Sequence, residues 1–282
     1  MDILIYLEQD NSRTRYIFNH IFKRVLGLTV KCTTDLNEFD REKGPKFEYS
    51  KKKHSDGLFF SATNLLFETN ISKQELFISS YKSVKVLFSS LDSSSCLPFD
   101  PFAASFYMLT RYEEYLINKK DKFGRFSATS SIAYKYNFLN LPVVDYWILF
   151  IKEKLKEKYP NLIFKSNKFK FYNTIDVDNG FAYLGKGFFR TLGSLLKDVF
   201  QLNFIRIKHK IRVLLFKEKD PYDNYDYLLK LHRKYSLNTL FFFLLSDYGK
   251  YDKNVLFSSK KLHQRIKTIY QSCDIGIHAS YR

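Results

Sequence analysis

Apolar and polar residues alternate over 3–8 (ILIYLE), which predicts a first strand. Asn11 and Ser12 then offer a cap for a helix running to 26, with Ile17, Ile21, Phe22 and Val25 on one face. Short apolar stretches at 28–32, 46–49, 57–61 and 84–88 read as further strands. Asp100-Pro101 joins a capping carboxylate to a proline at the first helical position, so a helix is expected from 101 to 117. Another, over 145–158, places Trp147, Ile148, Ile151 and Leu155 on its buried side and stops before Pro160.

Beyond Pro160 the spacing changes. Residues 168–175 (KFKFYNTI) alternate as a strand that ends in Asp176. Apolar stretches at 188–200 and 204–216 have helical spacing, and Asp220-Pro221 is expected to open a helix over 221–235. The run 238–245 (NTLFFFLL) has the continuous apolar character of a parallel strand buried on both faces. A helix over 259–272 and a strand over 274–278 (DIGIH) follow. Strands alternating with helices imply crossover connections and a parallel sheet or barrel. No internal repeat is present, and the boundary between two domains is expected at 165/166.

Composition narrows this picture. The chain has 282 residues, enough for about two domains at roughly 100–200 residues each. With 45% hydrophobic and 27% charged residues it belongs with folded globular chains. The longest apolar runs are about six residues, whereas a spanning helix needs about 20. Cys32, Cys96 and Cys273 are scattered, forming neither a disulfide framework nor a zinc knuckle. Asp2 stands where a secretory signal would carry basic residues, so a cytoplasmic chain is expected.

The formal charge of +17 is spread along the chain, whereas nucleic-acid binding needs it clustered on a recognisable module, so no nucleic-acid partner is expected. The densest piece holds Arg206, Lys208, Lys210, Arg212, Lys217 and Lys219, with only Glu218 opposing. A solvated helix face is the plainer reading of it. Peripheral contact with anionic lipid or a phosphorylated carrier is the other.

Candidate chemistry lies where parallel α/β folds gather it, at the carboxyl ends of strands. Three expected strands of the second half end in Asp176-Val177-Asp178, in Ser246-Asp247-Tyr248 and in His278. Carboxylates and an imidazole converging on one rim suit a divalent metal. The competing reading has Asp176 and Asp178 capping the next helix and His278 as an ordinary rim histidine. Glu113 and Glu114 are adjacent on an expected helix and so diverge, which makes them ion-pair partners rather than a dyad.

The segments 174–179 (TIDVDN), 242–254 (FFLLSDYGKYDKN) and 275–278 (IGIH) resemble the polysaccharide deacetylase family, the NodB-homology or carbohydrate esterase 4 group. Residues 98–116 (PFDPFAASFYMLTRYEEYL), 121–126 (DKFGRF) and 141–147 (LPVVDYW) are similar to an extra N-terminal domain of unknown function carried by a bacterial subgroup of it. The resemblance implies an α/β protein in two parts: an N-terminal α/β domain (1–165) and the first part of an irregular (β/α) barrel (166–282). It implies removal of acetyl from an N-acetylated sugar of a surface polysaccharide or its precursor, with a divalent metal, often zinc. In the family's first motif the first Asp is the general base and the second a metal ligand, which assigns Asp176 and Asp178.

In the second motif, His-Ser/Thr-x-x-His, His278 matches the first ligand, Ala279 replaces the hydroxyl residue, and Arg282 stands where the second His falls. Arginine stays protonated and offers no lone pair to a metal. Asp247, Tyr248 and Arg282 are therefore taken as substrate-binding candidates, Arg282 being suited to a carboxylate or phosphate. The family's later motifs, including a general-acid His, lie beyond residue 282, so the chain reads as truncated. The alternative function is a catalytically impaired or fragmentary protein that holds a sugar or an assembly partner without hydrolysis.

Overall fold

The computed structural model describes residues 2–116, 120–166, 168–247, 249, 252, 254–256 and 258–280. The chain divides into two compact units, Met1–Asn167 and Lys168–Arg282. Both are α/β with a parallel sheet. Among the described residues no helix is long and apolar enough to cross a membrane.

Unit 1 opens with β1 (Asp2–Leu7), α1 (Ser12–Phe18), β2 (Thr29–Thr33), α2 (Leu36–Arg41), β3 (Lys46–Ser50) and β4 (Leu58–Ser61). The side chain of Asn11 caps α1, accepting from the amides of Arg13 and Thr14, and the helix runs on as a π-helix over Asn19–Leu26. Gly27 ends it at φ +73°, where a Cβ would also lie 2.6 Å from Cβ of Lys165; only glycine meets both conditions. The strands lie parallel in the order β2-β1-β3-β4. Alternation sends Ile3, Ile5 and Leu7 to the face covered by Ile17, Phe18, Ile21 and Phe22. It sends Leu4 and Tyr6 to the face covered by Phe39 of α2.

The unit continues with an antiparallel pair, β5 (Ser79–Tyr81) and β6 (Val84–Val86), then α3 (Pro101–Leu109), α4 (Ile132–Lys135) and α5 (Val143–Lys158). Phe102 of α3 is fully buried with its ring 5.0–6.0 Å from those of Phe18, Phe22, Phe47, Tyr49 and Phe60. Asp100 aims this helix. Its buried carboxylate accepts from the amides of Phe102 (3.0 Å), Ala103 (2.9 Å) and Thr63 (2.8 Å) and from the hydroxyls of Tyr49 (2.8 Å) and Thr63 (3.0 Å). Burial pushes this carboxyl upward, while hydrogen bonds from Ala103, Thr63 and Tyr49 pull it back.

The expected helix from 101 to 117 is interrupted. α3 stops at Leu109, Arg111 takes a left-handed conformation at φ +53°, and Tyr112–Tyr115 form a 3-10 turn.

Unit 2 runs β7 (Tyr172–Val177), α6 (Phe188–Phe200), α7 (Phe204–Leu214), α8 (Tyr225–Tyr235), β8 (Asn238–Leu244), α9 (Lys260–Tyr270) and β9 (Asp274–His278). Its strands are parallel in the order β7-β8-β9. β7 begins four residues later than the alternation at 168 predicts, so Asp176 lies inside the strand and Asp178 just past it. Ile175, Val177, Phe241, Phe243 and Ile275 pack with Tyr225 and Leu229 of α8 and with Leu262 and Ile269 of α9. β8 is thus covered on one face, while Leu240 and Phe242 on the other are only half-buried.

The helix expected from 221 starts at Tyr225 instead. Asp220, buried, accepts from the amides of Ala182 (2.7 Å), Tyr183 (2.8 Å), Leu184 (3.0 Å) and Tyr222 (3.0 Å). One carboxylate therefore closes the long excursion of chain between Leu184 and Asp220 at its base.

Asp100→Asn replaces one acceptor oxygen by an N–H donor among five donors. It is expected to cost about 2–4 kcal/mol of unit 1 stability. Denaturant unfolding followed by the fluorescence of Trp147, the one tryptophan and fully buried in this unit, measures it. A loss below about 1 kcal/mol would contradict the role given to Asp100.

Candidate functional site

The register across β7, β8 and β9 places Asp176, Phe242 and Gly276 in one row. Two residues on, Leu244 pairs with His278 while Asp178 leaves the end of β7. Asp176 and Asp178 keep the two-residue alternation and both are exposed on the face that α8 and α9 leave open. Neither caps a helix: α6 begins at Phe188 with Gly187 at its cap position.

Two strand spacings of about 4.8 Å separate β7 from β9. Even so, Oδ1 of Asp178 lies 3.6 Å from Nε2 of His278. The two side chains lean toward each other across the end of β8, Asp178 at 78% exposure and His278 at 32%. Gly276 helps make the open face: a Cβ there would meet the Phe242 ring at 2.5 Å, so the ring lies over β9 only because position 276 has no side chain.

Three buried polar atoms at this edge have no hydrogen-bond partner among the described residues: Oδ1 of Asn179, Oγ of Ser246 and Nδ1 of His278. They belong to the carboxyl ends of three different strands. Buried polar atoms are normally satisfied, so such a group marks a place suited to a ligand, water or ion. Asn179 and Ser246 stand in the quoted motifs, yet nothing in their spacing distinguishes them from turn residues; only burial does.

Asp247 is exposed in the turn after β8, and among the described residues no hydrogen bond or ion pair joins it to Asp178 or His278. Asn254, buried, holds that turn by donating to the carbonyls of Leu244 (3.3 Å) and Ser246 (2.7 Å). Tyr248 and Arg282 lie outside the described residues.

The donor set can be tested against a divalent metal. Two ligands about 2.1 Å from one tetrahedral ion sit about 3.4 Å apart. The 3.6 Å between Asp178 and His278 meets that condition, and carboxylate oxygen with imidazole nitrogen is chemistry that zinc accepts. Among the described residues no group of three or more His, Cys, Asp or Glu converges, and Asp178 with His278 makes a pair of donors.

Unit 1 carries its own concave surface, about 660 Å³, lined by Arg111, Glu114, Asp121, Arg125 and Phe126 among others. Four of its charges pair with each other, Arg111 with Glu114 at 2.5 Å and Arg125 with Asp121 at 2.9 Å. Glu113, pushed upward by burial, accepts instead from the amide of Ile132 at 2.9 Å, so the two adjacent glutamates serve separate contacts. In the middle of β3, buried Glu48 accepts from the His54 ring (2.6 Å), the Ser55 hydroxyl (3.1 Å) and nearby amides, which fastens the loop that follows the strand.

Residues 3–160 match a family of unknown function, DUF7033. The chain belongs to the DUF7033 family. No curated protein and no solved structure matches it. The DUF7033 match falls within unit 1, which holds the paired charges around Arg111. Asp178 and His278 lie beyond it.

Gly276→Ala is expected to displace the Phe242 ring and destabilise unit 2 by about 1–3 kcal/mol. Faster amide hydrogen exchange in β8 measures it. Unchanged exchange there would show that the glycine is not required.

Proposed function

We propose that this chain carries the metal-binding part of a carbohydrate N-deacetylase. Unit 2 is read as the opening strands of an irregular (β/α) barrel acting in the cytoplasm on an N-acetylated polysaccharide precursor. One observation carries this reading. Asp178 and His278, a hundred residues apart in sequence, come within 3.6 Å at the carboxyl edge of a parallel sheet. The resemblance of 174–179 and 275–278 to the deacetylase motifs assigns the same two residues to a metal.

Asp178 and His278 would hold the cation, which when bound supplies polarisation of an amide carbonyl and of water. Asp176, exposed two residues upstream on the same face, would take a proton from attacking water as general base. Water adds to the acetyl carbon, the carbon–nitrogen bond breaks, the departing nitrogen takes up the proton that Asp176 removed, and acetate and the sugar amine are released. Asp247, Tyr248 and Arg282 are assigned to holding the sugar.

Among the described residues the set has two donors, whereas catalytic zinc sites usually have three protein ligands, and this favours a second reading. In it the same edge binds an N-acetylated sugar without hydrolysis.

Asp178→Ala and His278→Ala are each expected to weaken zinc binding by about tenfold or more in calorimetry. Asp176→Asn is expected to leave zinc affinity within about twofold and to abolish acetate release from N-acetylated oligosaccharides. Unaltered zinc affinity in both alanine variants would remove the metal assignment. Oligosaccharide binding with no acetate released by the native chain would select the second reading.

A further inference from the structure

The α6–α7 hairpin is built inside out. In a globular protein an amphipathic helix turns its apolar stripe inward. In α6 the stripe is Phe188, Phe189, Leu192, Leu196, Val199 and Phe200, and all six are exposed, Phe189 at 85% and Phe200 at 86%. The opposite, polar side is what α7 covers. Asp198 and Lys210, each 2% exposed, form an ion pair between the helices, and Lys210 also donates to Oγ of Ser194 at 2.6 Å. Breaking such a buried pair is costly, so the polar side is fixed inward.

The turn that joins the helices continues the apolar surface. Leu202, Phe204 and Ile205 are exposed, and Leu202 takes a left-handed conformation at φ +52° that favours glycine or asparagine. Among the described residues no part of α6 or α7 belongs to the unit 2 core around Phe241 and Phe243. The hairpin is an excursion closed at its base by Asp220. Its apolar surface therefore does no work in the fold that holds β7, β8 and β9.

Charge identifies what covers it. Residues 188–218 hold Arg190, Lys197, Arg206, Lys208, Lys210, Arg212 and Lys217 against two acids, Asp198, which Lys210 neutralises, and Glu218, which pairs with Arg212 at 2.8 Å. Lys197 in α6, Lys208 in α7 and Lys217 just past α7 are exposed. A protein core would have to desolvate these cations, whereas an anionic headgroup layer attracts them while admitting the aromatic and aliphatic side chains. α6 has 13 residues, about 20 Å, too short to span a hydrocarbon core of about 30 Å but suited to lying along its surface.

We propose that the α6–α7 hairpin docks this protein on an anionic lipid bilayer, with Phe189, Phe200, Leu202 and Ile205 entering the acyl boundary and Lys197, Lys208 and Lys217 facing the headgroups. The inference is independent of the deacetylase reading, since none of these residues belongs to the edge that holds Asp178 and His278.

Flotation of the full chain with vesicles tests it. Partitioning onto phosphatidylcholine vesicles containing roughly 30 mol% phosphatidylglycerol is expected to exceed that onto pure phosphatidylcholine by about tenfold or more, and to fall in high salt. K208E/K217E is expected to lower it about tenfold or more through charge. F189S/F200S is expected to do the same through lost apolar contact while leaving the thermal unfolding curve in place. Equal partitioning onto both vesicle types, or none onto either, overturns the proposal. Concentration-dependent self-association that F189S/F200S abolishes, without vesicle binding, would overturn it too and give the face to a second copy of the chain.

Discussion

Placement of β8 between β7 and β9 is the constraint on which the candidate site depends. Parallel pairing sends all three strands out of the sheet at one edge, so residues 178 and 278 finish level although a hundred residues separate them. The register then decides which side chains meet. A one-residue slip of β9 would turn His278 to the other face and leave Asp178 facing Ile277. Gly276 and Phe242 contribute to holding that register, because the ring occupies the space a Cβ at position 276 would fill.

Two buried carboxylates, Asp100 and Asp220, fasten irregular segments, and both accept from backbone amides rather than pairing with a cation. Asp100 collects five donors to aim α3 in unit 1; Asp220 collects four amides to close the base of the hairpin in unit 2. Each satisfies amides that an irregular segment would otherwise leave unpaired. The carboxylates at the edge of β7 differ in kind. Asp176 and Asp178 are exposed, and among the described residues neither accepts from a backbone amide; the partner of Asp178 is the His278 ring, 3.6 Å away. The contrast separates acids that shape the fold from acids that the fold presents.

Much of this organisation is legible in the residues themselves. Alternation marks β1 and β9, the Asn11 and Asp100 caps mark their helices, and the Trp147 stripe marks the buried side of α5. Other features depend on contacts between distant residues. The turn at Arg111 breaks a stretch whose propensity is helical throughout, and nothing local signals it. Asp220-Pro221 has the form of a helix start, yet the carboxylate serves amides some forty residues upstream. At the site, Asp178 and His278 are apparent from strand ends and motif resemblance, whereas Asn179 and Ser246 emerge only through burial. The apolar spacing of α6 is plain in the sequence, but the direction its stripe faces is not, because the Lys210–Asp198 pair that sets it joins two helices.

The central claim is that Asp178 and His278 are two ligands of one cation. Anomalous diffraction from crystals of the full chain soaked in zinc tests it most directly. The account predicts a single strong peak about 2.0–2.2 Å from both Oδ1 of Asp178 and Nε2 of His278. A peak elsewhere, or none at saturating zinc, would contradict it.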